Sequence, residues 1–208
     1  MPGRLVELFH LGEAAVGAPD RSPRLLQFQA GIDGMADALA LTDPTGSLIY
    51  HNPASLDLHG YADLAEAEQD WTDATSRWEV HDLDGRPVAT GDWPLARARR
   101  GHDFRDVELR TRHRETGREF IGNYSGSLVR TEDGRPCFAM VTVRDVTARR
   151  ETEAHLAHQN ELLERLFASI PVMLVLWDSR LRQFILNRHV ERTLGWTTDD
   201  ANRMDFMA

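Results

Sequence analysis

In the stretch LIYHNPASLDLHGY, Leu48 to Tyr61, two histidines, His51 and His59, stand on either side of an Asn-Pro pair. Imidazoles can ligate a metal, but such a site needs further ligands converging on them, and no H-E-x-x-H or similar spacing is present. Each therefore reads as a surface or hydrogen-bonded side chain. Asn52 serves better as a helix N-cap, with Pro53 at the first helical position, than as a catalytic group. The run RARR, Arg97 to Arg100, suits the C-terminal end of a helix dipole and reads as a solvated face rather than an anion site. No glycine-rich phosphate loop, Ser/His/Asp arrangement or paired carboxylates stand at usable spacing. The chain carries no enzyme of its own on this reading.

The elements that must position these residues are those of an ordinary globular chain. Its 208 residues allow one large domain or one domain plus a further piece, since domains run about 100 to 200 residues. Hydrophobic residues make up 41%, aromatics 8%, and the 27% charged residues mix both signs, which argues for folding rather than an acidic disordered tail. Against 24 Lys and Arg stand 33 Asp and Glu, a formal charge of -9. That excludes the basic face that nucleic acid or anionic lipid would require. The single cysteine, Cys137, can form no internal disulfide and no thiolate metal site, which fits a reducing cytoplasm. No run approaches the roughly 18 apolar residues of a membrane span, and the N-terminus lacks a basic n-region and a cleavage site, so a soluble chain is expected.

Residues 1–23 end in the breaker-rich GAPDRSP and read as an extension and linker. Leu25, Phe28, Ile32 and Met35 stand at helical spacings. Two apolar runs then flank Asp43-Pro44-Thr45-Gly46, the pattern of a hairpin. From Ala54 to Arg77 the pattern is helical and broken at Gly60, with the acidic DLAEAEQD facing solvent. A helix follows with Asp92 as N-cap, Pro94 in its first turn and Gly101 after its end. DVELRTRH, EFIGNYSGSLVR and CFAMVTVR, joined by turns at Thr116-Gly117 and Asp133-Gly134, predict an antiparallel meander. The expected fold is α+β, a five-stranded antiparallel sheet with helices on one face over residues 24–146, and a ligand pocket belongs between them. Gly122 and Gly126 bracket Asn123 and Ser125 on a strand, where glycine costs stability, and so signal a close approach. Which of Asn123 and Tyr124 points inward is open at this stage.

Residues 147–170 contain no Gly or Pro. Leu156, Leu163 and Ile170 repeat every seven residues with Asn160 and Phe167 between them, the pattern of a coiled-coil seam with one polar core position; a helix packed on its own domain is the alternative. A homodimer through this helix is expected. Asp145 at the preceding junction can cap the helix and pair with a nearby arginine, and with Thr147 it forms a candidate signal junction. Residues 171–208 repeat the earlier order: MLVLWDSRLRQFILNRHVERTLGW aligns with LALTDPTGSLIYHNPASLDLHGY, an internal repeat cut short at Ala208. The chain is thus expected to derive from a longer protein.

These features resemble the PAS sensor family. DPTGSLIYHNPA is similar to its opening strands, DGRPVATGDWPLARARRG to the segment running into its central helix, and VTVRDVTARR to its D-[IV]-T-x-[RK] signature joining the last strand to a signalling helix. The resemblance covers roughly Leu25 to Arg150, with a second, partial copy from about Ile170. It implies a cytoplasmic sensory and dimerisation module of a bacterial-type signalling protein, for example a sensor histidine kinase. A ligand-free interaction domain and a flavin-binding redox sensor remain open. Haem is disfavoured, since family members place a histidine on or near the central helix, whereas His81 and His102 fall in loops beside it. The photoactive flavin subgroup needs a cysteine motif that is absent, and Cys137 falls on a late strand. Non-covalent flavin would use Trp71 and Trp78 for stacking and the Asn123 amide. The pocket residues expected are Trp71, Trp78, Leu109, Asn123, Ser125 and Met140. Neither His155 nor His158 lies in the H-E-x-[RK]-x-P setting of a kinase phospho-acceptor.

Overall fold

The computed structural model describes residues 22–203, with no account of the side chains before Leu26. Of the extension and linker read over residues 1–23, residues 1–21 lie outside the described residues, and Ser22 and Pro23 open the first helix instead, where proline fits the first turn. The chain falls into two compact units that divide between Ala148 and Arg149.

In the first unit helix α1 (Ser22–Asp33) leads to strands β1 (Ala38–Thr42) and β2 (Leu48–His51). Their turn is held by Asp43, whose Oδ1 accepts from the N–H groups of Gly46 (2.7 Å) and Ser47 (2.9 Å). Gly46 has φ +105°, a conformation that disfavours any other residue, and a Cβ there would run into the Arg99 guanidinium. Helices α2 (Pro53–His59), α3 (Leu64–Thr72) and α4 (Ala74–Arg77) follow, then β3 (Trp78–His81), a 3-10 turn (Thr90–Asp92) and α5 (Pro94–Arg99). The meander is β4 (Phe104–His113), β5 (Glu119–Arg130) and β6 (Pro136–Asp145).

Among the described residues these strands form one antiparallel sheet ordered β2-β1-β6-β5-β4-β3, so the last long strand returns beside the first. The sequence reading lacks β3. Its four residues follow directly on helical turns, too short a run for alternation to register, yet all four pair with β4, Trp78 against His113 and His81 against Arg110. Asp92 also differs from expectation. It caps no helix but accepts from Arg100 at 2.7 Å, while Trp93 stands at the N-cap position ahead of Pro94.

The two sheet faces bury different sets. One carries Ala38, Trp78, Leu109, Phe120, Tyr124, Val141 and Val143 under the helices; the other buries Leu39, Leu41, Ile49 and Tyr50 with Ile32 of α1. Period-2 alternation along β5 places Gly122, Tyr124 and Gly126 on the helix-covered face and Asn123 and Ser125 on the opposite one. A Cβ at Gly122 would lie 2.6 Å from the Tyr124 ring and 2.7 Å from Val143; at Gly126 it would strike Phe104 at 2.7 Å. The glycines are there because neighbouring side chains lie down over the strand.

Helix α6 (Thr147–Ser169) follows β6. The second unit has a hairpin of β7 (Val175–Asp178) and β8 (Gln183–Leu186), then α7 (Arg188–Leu194) and α8 (Thr198–Arg203) around Leu186, Val190 and Ala201. Its local bonding repeats the first unit's. Asn52 Oδ1 accepts from Leu39 N and Ser55 N while Nδ2 donates to the Ile32 and Asp37 carbonyls; Asn187 Oδ1 accepts from Leu174 N and Val190 N while Nδ2 donates to the Phe167 and Val172 carbonyls. Every member of the second clasp stands at one constant offset from its counterpart. The closing turns of α6 thus hold the second hairpin as α1 holds the first.

Candidate ligand site

A cavity of about 260 Å3 lies in the first unit between the sheet face of Tyr124, Val141 and Val143 and the helices that cover it. Strand β2 delivers His51 to it, α2 delivers Ser55 and His59 one turn apart, and α3 delivers Trp71. Trp78 comes from β3, and Trp93 and Arg99 bracket α5. The wall is aromatic: His51 sits edge-on to His59 at 5.8 Å and to Trp71 at 6.1 Å, His59 stacks on Tyr61, and Trp78 meets His59 edge-on at 5.3 Å. Such offset and edge contacts suit ring quadrupoles and fix the rings in place.

Behind this wall is a carboxylate that the sequence reading leaves in solvent. Asp70 is buried on α3 and accepts from Tyr61 Oη (2.5 Å), Trp78 Nε1 (2.7 Å) and Arg77 Nη1 (3.0 Å), with His113 Nε2 at 3.5 Å. Burial alone would raise its pKa, but the hydrogen bonds from Tyr61, Trp78 and His113 overcome that and hold the carboxyl below its ordinary value. The same burial, with the Asp70 bond second, raises the Tyr61 phenol. Because Ala67 is buried as well as Asp70, the i, i+3 spacing within DLAEAEQD marks the inward stripe. Asp70→Asn keeps the shape but turns one acceptor into a donor facing donors. It should cost about 3 kcal/mol in urea denaturation; a loss under about 1 kcal/mol would mean the carboxylate is not what holds Tyr61 and Trp78.

Both histidines of the opening stretch are hydrogen-bonded and face the cavity. His51 Nδ1 lies 2.6 Å from Ser55 Oγ, and His59 Nδ1 donates to the Ser55 carbonyl at 2.8 Å. Burial, and secondarily the neighbouring His59, pushes the His51 pKa down to about 3. Burial likewise lowers His59 against the opposing pull of its Ser55 bond. Both rings are neutral at pH 7. Burial in the sheet also raises the pKa of Tyr124, whose hydroxyl shares a 2.6 Å hydrogen bond with Thr111.

Of the six pocket residues read from sequence, Trp71 and Trp78 line the cavity. Leu109 is on the same face but within the packed core. Asn123 and Ser125 project from the other face of β5, and Met140 packs there with Leu39 and Leu41. The flavin arrangement that joins Trp71 and Trp78 to the Asn123 amide is therefore not assembled. Cys137 is half-buried on β6, and neither His81 nor His102 lines the cavity. Among the described residues no cluster of three or more His, Cys, Asp or Glu converges as a metal site. Arg99, read as part of a solvated run, lines the cavity instead. Its Nη2 donates to the Thr45 carbonyl at 2.5 Å and the Pro44 carbonyl at 3.3 Å. Arg97 lies over the Phe104 ring, 4.9 Å from its centroid.

Strand β5 connects this wall to the start of α6. Gly122, under the Tyr124 ring, pairs with Asp145, and Ile121 takes two bonds from the junction: its carbonyl accepts from Val146 N (2.9 Å) and its N–H donates to Thr147 Oγ1 (2.8 Å). Asp145 Oδ1 in turn accepts from the Thr147 N–H (2.9 Å) and hydroxyl (2.6 Å). Asp145 thus caps the helix through Thr147. The arginine beside it, Arg144, makes its two-pronged pair with Asp37 at 2.8 and 2.9 Å.

The family pattern described as the PAS fold matches residues 32–151. The chain belongs to the PAS family. No curated protein matches it. Similar solved structures include an RNA-binding light-oxygen-voltage receptor, 22% identical over 74% of this chain and 40% of that one, with a TM-score of 0.44. A PAS domain from a two-component sensor histidine kinase is 22% identical over 60% of this chain and 98% of that one, TM-score 0.39. A sensory box histidine kinase/response regulator from Burkholderia thailandensis E264 is 21% identical over 67% and 98%, TM-score 0.39. The chain spans about 40% of the light-oxygen-voltage receptor's length.

Proposed function

We propose that the chain is a cytoplasmic sensory and dimerisation module of a signal-transduction protein with a downstream output domain, a histidine kinase by this reading. The first unit's cavity holds a small molecule, and its occupancy is passed along β5 and the Asp145–Thr147 junction to α6. The observation that carries this is the single strand shared by cavity wall and helix cap: Tyr124 and Ile121 are three residues apart, one facing the cavity, the other bonded to Thr147. A small shift of β5 under a ligand would move the first turn of α6 with it.

No residue of α6 is buried, and Leu156 and Leu163 are 57% and 63% exposed, Ile170 37%. An apolar stripe of that period supports pairing with a second copy through Leu156, Asn160, Leu163, Phe167 and Ile170. Among the described residues no helix is long and apolar enough to cross a membrane. Sedimentation equilibrium tests the pairing. The chain should weigh twice its 23.6 kDa, and Leu163→Asp should weaken association at least 100-fold; a monomeric wild-type chain at tens of micromolar would refute the dimer.

A further inference from the structure

Many of the polar groups lining the first unit's cavity already have partners inside the protein. The indole N–H groups of Trp71, Trp78 and Trp93 donate to the Gly46 carbonyl, Asp70 and the Val88 carbonyl. The Tyr61 hydroxyl donates to Asp70, and Tyr124 and Thr111 satisfy each other. Two lining groups are different: His51 Nε2 and Arg99 Nε are buried and have no hydrogen-bond partner. Buried polar atoms in folded proteins are nearly always paired, so such orphans within one cavity mark where a ligand's polar groups belong.

Their chemistry defines the ligand. Arg99 pairs with no carboxylate among the described residues, its acceptors being the two turn carbonyls, whereas the next residue, Arg100, pairs with Asp92. A partly buried guanidinium offset only by carbonyl dipoles calls for an anion, and its planar fork suits a carboxylate. His51 is a neutral imidazole whose Nδ1 faces the freely rotating Ser55 hydroxyl. Either tautomer is therefore available, and Nε2 can accept from or donate to a ring hydroxyl or N–H. The remaining walls combine the rings of Trp71, Trp78 and Trp93 with the aliphatic side chains of Val80, Leu95, Val141 and Val143, an apolar lining that suits a ring-sized guest. The volume of about 260 Å3 falls just short of the roughly 300 Å3 at which pockets for drug-sized ligands begin, and so limits the guest to one or two rings.

We propose that this cavity takes a small aromatic carboxylic acid, the carboxylate on Arg99 and a hydroxyl or ring N–H on His51 Nε2. The proposal rests on the reading of the cavity as a ligand site. Arg99 has a second duty in the fold, because its contact with Gly46 and the Pro44 and Thr45 carbonyls ties α5 to the β1–β2 turn. Binding of an anion there would place charge at that turn as well as in the cavity.

The test titrates the full chain with two matched pairs, 4-hydroxyphenylacetate against 4-methylphenol and indole-3-acetate against 3-methylindole. Calorimetry and tryptophan fluorescence are both read, since three indoles line the cavity. Each acid should bind at least tenfold more tightly than its neutral partner. Arg99→Met should remove that preference, and Arg99→Lys should restore part of it. His51→Phe should weaken all four. If the neutral compounds bind as tightly as the acids on the unaltered chain, the acid class is wrong and the ligand site stands. If none of the four binds by either readout, the proposal and the ligand-site reading both fall.

Discussion

Lowering the pH from 7 to 4.5 is expected to destabilise the first unit by about 3 kcal/mol through His51 alone. In the unfolded chain this imidazole titrates at its ordinary value near 6.5, whereas in the fold burial pushes it down to about 3. Between those two values the unfolded state binds a proton that the folded state does not, so stability rises with pH across the window and is lost as pH falls. The slope is about 1.4 kcal/mol per pH unit for each such group. His59, lowered by the same burial, adds to it from pH 6.5 downward. Asp70 contributes later and in the usual carboxylate sense: its pKa is held below 3.8 in the fold, so its stabilisation is present above 3.8 and lost as pH falls through the folded value. Urea titrations at half-unit steps should show the steepest loss beginning near pH 6.5. His51→Gln, which keeps a polar side chain without titrating, should flatten the slope by about 1.4 kcal/mol per unit. An unchanged slope in that variant would mean His51 is solvated and charged in acid, contrary to its place in the cavity wall.

Asn52→Ala should cost the first unit about 4 kcal/mol. The side chain is fully buried and makes four hydrogen bonds, at 2.8 Å from Leu39 N, 2.9 Å from Ser55 N, and 3.2 and 3.0 Å to the Ile32 and Asp37 carbonyls. Truncation strips the side-chain bonds from the Leu39 N–H and the Asp37 carbonyl, and takes one of two bonds each from the Ser55 N–H, which keeps the Asn52 carbonyl, and the Ile32 carbonyl, which keeps Met35 N; each lost bond to a buried group carries a desolvation cost. Asn52→Asp separates the two halves of the clasp. It keeps the acceptor for Leu39 and Ser55 but sets a carboxylate against two carbonyls, and should be at least as damaging as alanine. The check is chemical denaturation followed by hydrogen exchange of the Leu39 amide; a loss below about 1.5 kcal/mol for both variants would show that α1 and α2 are held by packing alone.

Much of this fold is legible from turn chemistry. Asp43-Pro44-Thr45-Gly46 fixes the first hairpin, Thr116-Gly117 and Asp133-Gly134 separate the three long strands, and Pro94 and Gly101 bracket α5, each for a local reason that needs no tertiary context. The repeat around Asn187 is legible too, and the structure shows why it recurs: one asparagine side chain joins a helix end, the residue that leads into a strand and a helix start. The site is harder to read. Placing Asn123 in a pocket is a choice of one strand face over the other, and a single-residue change of parity exchanges them. The pattern Gly122, Tyr124, Gly126 contains the answer, because two glycines on one face make room for a large ring lying along it. His51 is hidden for a different reason. It ends a strand buried on both faces, so polar and apolar residues do not alternate and its burial leaves no period-2 trace. Asp70 is disguised by the acidic residues around it, though the buried Ala67 one turn earlier marks its face.

By the proposed reading, one strand carries the state of the cavity to the helix cap. NMR-detected hydrogen exchange of the Ile121, Val146 and Thr147 amides in the full chain, with and without the tightest-binding of the four probe compounds, tests it most directly. These three N–H groups donate to Thr147 Oγ1, the Ile121 carbonyl and Asp145 Oδ1. Ligand is expected to change protection at all three by at least threefold, and Tyr124→Phe, which removes the bond to Thr111, to reduce the change. Protection that alters around α2, α3 and α5 while those three amides stay as they were would contradict it.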